Sequence, residues 1–127
     1  MKTHKDLNVW KNSVELVLEI YRLTRSFPRE EMFGLTMQLK RAATSVPSNI
    51  SEGAARNQKK EFIRFLRISS GSLAEIETQI LIAWHLNYLP GSELNNLTKR
   101  INLIGSQISG LIKNLEKKST SPDKQPS

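Results

Sequence analysis

Four stretches of the sequence repeat apolar residues at alternating steps of three and four, the spacing that places them on one face of a helix. The sequence contains no alternating strand pattern of useful length. Helices that each bury one apolar face must pack against one another, and short connections make neighbouring helices antiparallel. The repeated spacing therefore predicts an all-α fold, an antiparallel up-down-up-down four-helix bundle.

Prolines mark two of the boundaries between these stretches. Pro28 ends the first stretch, because proline disfavours the helical conformation in the residue before it, and Pro90 with Gly91 separates the third from the fourth. The first stretch has two apolar stripes, and both are expected to be buried, as are the tryptophans, Tyr21 and most of the phenylalanines. The two stripes are Leu7, Trp10, Val14, Val17 and Tyr21, and beside them Leu16, Ile20, Leu23 and Phe27.

The segment SVPSNISEGAAR, residues 45–56, is small and polar although it lies between apolar stretches. The apolar spacing of the second stretch continues through it as far as Gly53, which argues against a linker. A helix can continue past Pro47 with a kink. We expect the second helix to end here, with Gly53 or a residue just after it left-handed and Asn57 capping the next helix. A phosphate-binding loop would need a GxxxxGK[ST] motif after a strand, and the segment lacks both.

Length and composition indicate one domain. The 127 residues are enough to bury a core, and we expect the bundle over residues 1–117 and a disordered tail over 118–127, whose sequence KSTSPDKQPS has no apolar residue. The absence of cysteine excludes disulfides, thiolate metal sites and thiol nucleophiles. The sequence has neither an apolar run typical of a signal peptide nor one long enough to span a membrane, so we expect a cytoplasmic protein.

Charge is unevenly distributed along the chain. Nineteen Lys and Arg against twelve Asp and Glu give a net charge of +7. The segment 40–67 contains seven cations and two carboxylates, a net of +5, whereas 68–98 contains three glutamates and no cation. A gathered positive charge indicates an anionic partner.

The basic segment supplies the candidate nucleic-acid contacts. Four of them, spaced at i, i+4, i+8 and i+11, form one stripe along the third helix. We expect no exposed aromatic platform among them, so contact with the phosphate backbone of RNA or DNA, at low sequence specificity, is favoured over base stacking. The competing interpretations are a solvated helix face and a protein-binding scaffold whose basic face docks an acidic protein. The candidate residues are Lys40, Arg56, Lys59, Lys60, Arg64 and Arg67.

Catalytic and metal-binding patterns are absent from the sequence. If the second and third helices form a hairpin that turns near Asn57, Glu75 lies opposite Arg41, and we expect a buried structural ion pair between them rather than acid–base catalysis. His4 and His85 have no acidic residues at ligand spacing. We predict no catalytic residue, no metal and no cofactor. A nuclease would need a cluster of metal ligands that the sequence does not contain.

Small residues recur on the fourth helix. Gly105 with Ser109, and Ser106 with Gly110, are pairs four residues apart, and a glycine inside a helix costs about 1 kcal/mol relative to alanine. Close packing would offset this cost. The pattern therefore predicts either a subunit interface or tight packing within the bundle.

Two runs of the sequence resemble a known family. They are DLNVWKNSVELVLEIYRLTRSFPREEMFGLTMQLK and RAATSVPSNISEGAARNQKKEFIRFLRISSGSLAEIETQI. They are similar to the four-helix bundle proteins first known from intervening sequences of bacterial 23S ribosomal RNA genes. The resemblance extends over residues 6–112, and Ser51 and Ser69 stand where the family pattern has alanine.

The resemblance implies an assembly and a role. It implies a bundle that forms a homopentamer with a basic surface and carries no catalytic residues. The same family includes the accessory variability protein of diversity-generating retroelements, which works with a reverse transcriptase and nucleic acid. We therefore expect a non-enzymatic, oligomeric nucleic-acid-binding accessory protein, with a reverse transcriptase as a further partner implied by the resemblance.

Overall fold

The computed structural model describes residues 3–119, and every regular element in that range is a helix. Single 3₁₀ turns at His4–Asp6 and Arg29–Glu31 precede the first and second long helices. The long helices are α1 at Asn8–Thr24, α2 at Leu35–Ala55, α3 at Lys59–His85 and α4 at Gly91–Ser119. Each packs on the next in sequence, and α1 also packs on α4. The predicted four-helix bundle is confirmed.

The C-terminal boundary differs slightly from the prediction. Helix α4 continues to Ser119, two residues beyond the expected end of the bundle at residue 117. The remainder of the predicted disordered tail, residues 120–127, lies outside the described residues.

Hydrogen bonds between α2 and α3 establish the register of their hairpin. The Ser69 hydroxyl donates to the Val46 carbonyl at 2.9 Å, and Gln79 Nε2 donates to Gln38 Oε1 at 3.4 Å. These partners lie close to the positions expected to face each other in a hairpin that turns near Asn57. The antiparallel pairing predicted from the position of the turn is therefore correct.

Only part of the apolar surface of α1 is buried in the core of the bundle. The stripe that begins at Leu16 is buried, together with Val9. In the other stripe Trp10 and Val17 are half-buried and Tyr21 is 40% exposed, so the expectation that both stripes enter the core is wrong. The reason is geometric, because two adjacent stripes span more of a helix than its neighbours in the bundle can cover.

The aromatic residues divide between core and surface. Phe27, Phe62 and Phe65 are buried as predicted. Phe33 is 80% exposed and Trp84 is 38% exposed, so these two side chains are not core residues. Phe33 lies in the connection between the 3₁₀ turn and α2, where the helical spacing that orients apolar side chains inward does not apply.

Helix α2 runs through the whole segment that contains Pro47. The helix continues to Ala55, and Pro47 is buried within it. The left-handed residue of the turn is Asn57, with φ of 62°, which follows Gly53 in the sequence. Gly53 itself is not left-handed, and Asn57 is not the cap of α3. Gln58, in an extended conformation, is the residue that precedes α3, and it makes no side-chain cap hydrogen bond.

Gly53 allows α2 and α3 to approach closely. A Cβ atom at this position would lie 2.7 Å from Phe65 Cβ and 3.3 Å from the carbonyl oxygen of Phe62. Because both neighbours belong to or adjoin the α3 backbone, they cannot move aside without moving the helix. Gly53 is required here for space rather than for conformational freedom.

The two serines that depart from the family pattern each make a hydrogen bond that alanine could not. Ser51 Oγ accepts a hydrogen bond from Trp10 Nε1 at 2.9 Å, which links α1 to α2. Ser69 is fully buried and its hydroxyl donates to the Val46 carbonyl. Burial of these hydroxyls is therefore compensated, since each has a partner.

Glu31 joins three parts of the chain. Its Oε1 accepts the backbone N–H of Leu35, the first residue of α2, at 3.1 Å. Its Oε2 accepts the hydroxyl of Tyr88, in the connection between α3 and α4, at 2.8 Å. The Leu35 N–H, and after it the Tyr88 hydroxyl, hold the pKa of the Glu31 carboxyl below its usual 4.5.

We expect Gly53→Ala to destabilise the bundle by about 1–3 kcal/mol, because the added methyl group overpacks the contact with α3. Gly71→Ala is the matched control, since a Cβ at Gly71 meets nothing within 4 Å. In the control, the higher helix propensity of alanine should raise the free energy of unfolding by about 0.5–1 kcal/mol. Urea unfolding measures both effects. Equal stability of the two variants would contradict the close approach at Gly53.

We expect Glu31 to contribute to the acid sensitivity of folding. Its pKa is lower in the folded than in the unfolded chain, so its contribution is present above pH 4.5 and is lost as pH falls through the folded value. As pH falls below 4.5 the wild type should therefore lose more stability than Glu31→Gln. Urea unfolding across this range provides the measurement. Parallel stability curves for the two proteins would show that the carboxylate contributes nothing.

Candidate nucleic-acid interface

Four of the predicted contacts lie together on one exposed face at the α2–α3 turn. Arg56 follows the last residue of α2, and Lys60, Arg64 and Arg67 lie along the beginning of α3. All four side chains are exposed. We call these four residues the α3 stripe. The structure confirms their clustering; their binding of nucleic acid stays a prediction.

Every arginine of the α3 stripe forms an ion pair. Arg64 contacts Glu61 at 3.1 Å within α3, and the hydrogen bond from Arg64 is the main reason that the pKa of Glu61 is lowered. Arg67 contacts Glu116 of α4 at 3.1 Å. The remaining pair joins Arg56 to Glu52, also at 3.1 Å. The four cations of the stripe and the three glutamates share this surface, a net of +1.

These ion pairs are accessible to solvent. The side chains of Arg56 and Glu52 are 48% and 55% exposed, and those of Arg67 and Glu116 are 61% and 52% exposed. Exposed ion pairs typically contribute only about 0.2–1 kcal/mol. Their arginines can therefore exchange a carboxylate for another anion at low cost.

Two guanidinium groups of the stripe share one aromatic ring. The guanidinium carbon of Arg64 lies 4.4 Å from the centroid of the Phe65 ring, and that of Arg56 lies 5.2 Å from it. Phe65 itself is only 7% exposed and packs beneath them. The ring restricts both side chains, so less conformational entropy is lost when they bind a ligand.

Two predicted contacts do not belong to the exposed stripe. Lys59 is half-buried, and its buried Nζ has no hydrogen-bond partner among the described residues. Lys40 lies on α2 sixteen positions before Arg56, roughly 24 Å away at 1.5 Å per residue. Its Nζ is 4.7 Å from the centroid of the Tyr21 ring and the side chain is half-buried. Lys59 and Lys40 belong to the same basic segment of the sequence as the stripe, but in the folded chain neither lies on its exposed face.

The expected ion pair between Arg41 and Glu75 is not found. The two residues line one small depression between α2 and α3, as the hairpin register requires, yet both are exposed. No salt bridge within 4 Å joins them in the part of the chain that the structure describes. Arg41 instead extends along its own helix, where its Nη2 lies 3.7 Å from Met37 Sδ. The prediction of a buried pair is therefore wrong.

The small residues of α4 border an open groove. Gly105, Ser106, Ser109 and Gly110 face Ser70, Leu73, Ala74 and Glu77 of α3 across a depression of about 600 Å³. A Cβ at Gly105 or Gly110 would meet no atom within 4 Å. Tight packing within the bundle is therefore excluded as the reason for these glycines.

The described residues also bear on metal binding and on membrane insertion. Within residues 3–119 no group of three or more His, Cys, Asp or Glu side chains is arranged to hold a metal ion. His4 instead packs its ring edge-on against Trp10, with centroids 5.1 Å apart. None of the described helices is both long enough and apolar enough to cross a membrane.

The fold and this surface define an all-α four-helix bundle protein with an arginine-rich exposed face. The family model described as "23S rRNA-intervening sequence protein" matches residues 5–110, and the chain belongs to this family. No curated protein shows significant similarity to the chain.

A solved structure has the same fold. It is a protein of unknown function from the S23 ribosomal protein family of Bacteroides thetaiotaomicron VPI-5482. The two chains are 22% identical and superpose with a TM-score of 0.77 over 83% of this chain and 98% of the other. At this level of identity the similarity supports the fold.

Proposed function

We propose that this protein is a non-enzymatic, oligomeric accessory factor that binds the phosphate backbone of RNA or DNA with little sequence preference. The observation that carries this proposal is the α3 stripe, four exposed cations on one face with two guanidinium groups held over Phe65. A reverse transcriptase partner and a cytoplasmic location stay predictions from the sequence.

The ion pairs of the stripe are compatible with phosphate binding. Guanidinium groups bind phosphate through paired hydrogen bonds, as they bind carboxylates, so an incoming phosphate can replace an exposed glutamate. The glutamates lower the affinity without abolishing it, because the surface stays positive at +1. They also favour weak, reversible binding.

Low sequence specificity follows from what surrounds the stripe. The ring in contact with Arg56 and Arg64 is that of Phe65, whose 7% exposure leaves no face on which a base could stack. Sequence is read at base edges or by stacking, whereas contacts to phosphate position the protein without reading sequence. The stripe therefore supports contact with the backbone.

We expect binding to weaken steeply with salt. If the four exposed cations each neutralise a phosphate, log affinity for duplex DNA should fall with log salt at a slope of about −3.6, with about 0.9 per contact. The variant Arg56→Glu, Lys60→Glu, Arg64→Glu should retain a slope of at most about −0.9. Fluorescence anisotropy with several unrelated DNA and RNA oligomers measures both.

The control carries the same change in charge elsewhere. Arg22→Glu, Lys99→Glu, Arg100→Glu also reverses three solvent-accessible cations, none of them in the stripe. This control should keep the slope of the wild type, and circular dichroism should show that both variants are folded. If the stripe variant binds as tightly as wild type, or if wild type fails to bind at low salt, the stripe is a solvated face and the protein-scaffold function replaces ours.

We further propose that the open groove of α4 is a contact between subunits. Gly105 and Gly110 each lower the stability of the helix, and neither gains a close contact within its own chain. Packing against a second subunit would compensate for this cost. Because small residues form the rim of the groove, the surface of another subunit could pack closely against α4. A homopentamer is the assembly that the family resemblance implies.

We expect Gly110→Leu to reduce the assembly to smaller species, because leucine would fill the groove. Gly71→Leu is the control, since Gly71 is exposed and equally free of contacts but lies outside the groove. Multi-angle light scattering measures the mass of each protein. A wild-type monomer at tens of micromolar would overturn oligomerisation, and a wild-type dimer would overturn only the pentamer.

A further inference from the structure

Two adjoining depressions lie where α1 ends and α2 begins. They share Met32, Thr36 and Lys40. The first has a volume of about 350 Å³ and is lined mainly by Tyr21, Met32, Phe33, Met37, Lys40 and Arg41. The second, of about 280 Å³, adds Arg25 and Arg29. We call the two together the α1–α2 groove.

The groove has an unusual amount of exposed apolar surface. Phe33 is 80% exposed, more than any other large apolar side chain in the described residues, and Met32 beside it is 50% exposed. Tyr21 on the opposite wall is 40% exposed. Isolated exposed apolar residues are common, but a contiguous apolar surface rimmed by charge is typical of an interaction site.

The charges of the groove are all positive and unpaired. Arg25, Arg29, Lys40 and Arg41 line it, no carboxylate does, and none of the four forms an ion pair with another described residue. The nearby Glu31 is held by the Leu35 N–H and the Tyr88 hydroxyl. In this respect the groove differs from the α3 stripe, where each arginine has a glutamate partner.

We propose that the α1–α2 groove docks an acidic amphipathic segment of a partner protein. Apolar side chains of that segment would pack on Phe33, Met32 and Met37. Its carboxylates would pair with the four cations, which form no ion pair with another described residue. This site lies at the opposite end of α2 from the α3 stripe and is independent of the proposed binding of nucleic acid.

The geometry favours a protein segment over single-stranded nucleic acid. Successive bases need free aromatic faces on which to stack. The Lys40 ammonium lies over the Tyr21 ring at 4.7 Å, so Phe33 is the one aromatic side chain of the first depression with a ring free of a cation. The remaining apolar wall is methionine, a flexible side chain that adapts to the apolar side chains of protein partners.

The test uses a defined peptide probe with wild-type and variant proteins. The probe is a fluorescein-labelled peptide of about 12 residues with leucine and phenylalanine at i, i+3, i+4 and i+7 and glutamate between them. Fluorescence anisotropy should show binding that Phe33→Ala, and separately Lys40→Glu with Arg41→Glu, weaken at least about tenfold. Replacing the glutamates of the peptide by glutamine, or its apolar residues by serine, should weaken binding to a similar extent.

Two proteins serve as controls. Leu18→Ala removes another exposed apolar side chain, 63% exposed, and should leave peptide affinity within about twofold of wild type. The triple glutamate variant of the α3 stripe should do the same, so the two proposed sites can fail independently. Because Phe33 is so exposed, Phe33→Ala should fold as wild type does by circular dichroism.

Several results would overturn the proposal. One is the absence of peptide binding up to about 1 mM; another is binding that ignores Phe33→Ala. Loss of affinity for oligo(dT) in Phe33→Ala would assign the groove to nucleic acid instead. A change in the mass of Phe33→Ala by light scattering would assign it to contact between copies of this chain.

Discussion

The close contact between α2 and α3 is the constraint on which the other features of this protein depend. Gly53 leaves room for Phe62 and Phe65, and the buried hydroxyl of Ser69 fixes the register by donating to the Val46 carbonyl. Such a contact tolerates almost no added volume, since protein interiors are packed as densely as organic crystals. The hairpin therefore has one register, and every side chain on its surface has a defined position relative to the turn.

The candidate interface is a direct product of this contact. Phe65 fills the space beside Gly53, and its ring supports Arg56 from the end of α2 and Arg64 from α3. A looser crossing would separate the two guanidinium groups. The same residue thus packs its Cβ close to Gly53 and holds two guanidinium groups over its ring.

The two basic regions of the molecule differ in a way that net charge does not reveal. In the α3 stripe each arginine is paired with an exposed glutamate, so an anionic ligand must compete for it. In the α1–α2 groove the cations have no such partner and surround an apolar surface. Competition with the glutamates for the arginines is compatible with weak contact to a uniform polyanion. Unpaired cations around an apolar surface are instead complementary to a ligand that supplies both carboxylates and apolar side chains. Their separation along α2 allows both to be occupied at once.

The sequence by itself determined the four helices, their antiparallel order, the continuation of α2 through Pro47 and the clustering of Arg56, Lys60, Arg64 and Arg67. These features depend on local spacing along the chain, which residue types specify directly. Only the tertiary structure decided which cations are free. The partner of Arg67 lies 49 positions away on α4, and the unpaired cations of the groove come from α2, a 3₁₀ turn and the residue that follows α1. The expected pair between α2 and α3 failed for the same reason: periodicity fixes which backbone positions face each other, but the direction of a long charged side chain depends on neighbours that only the folded chain brings together.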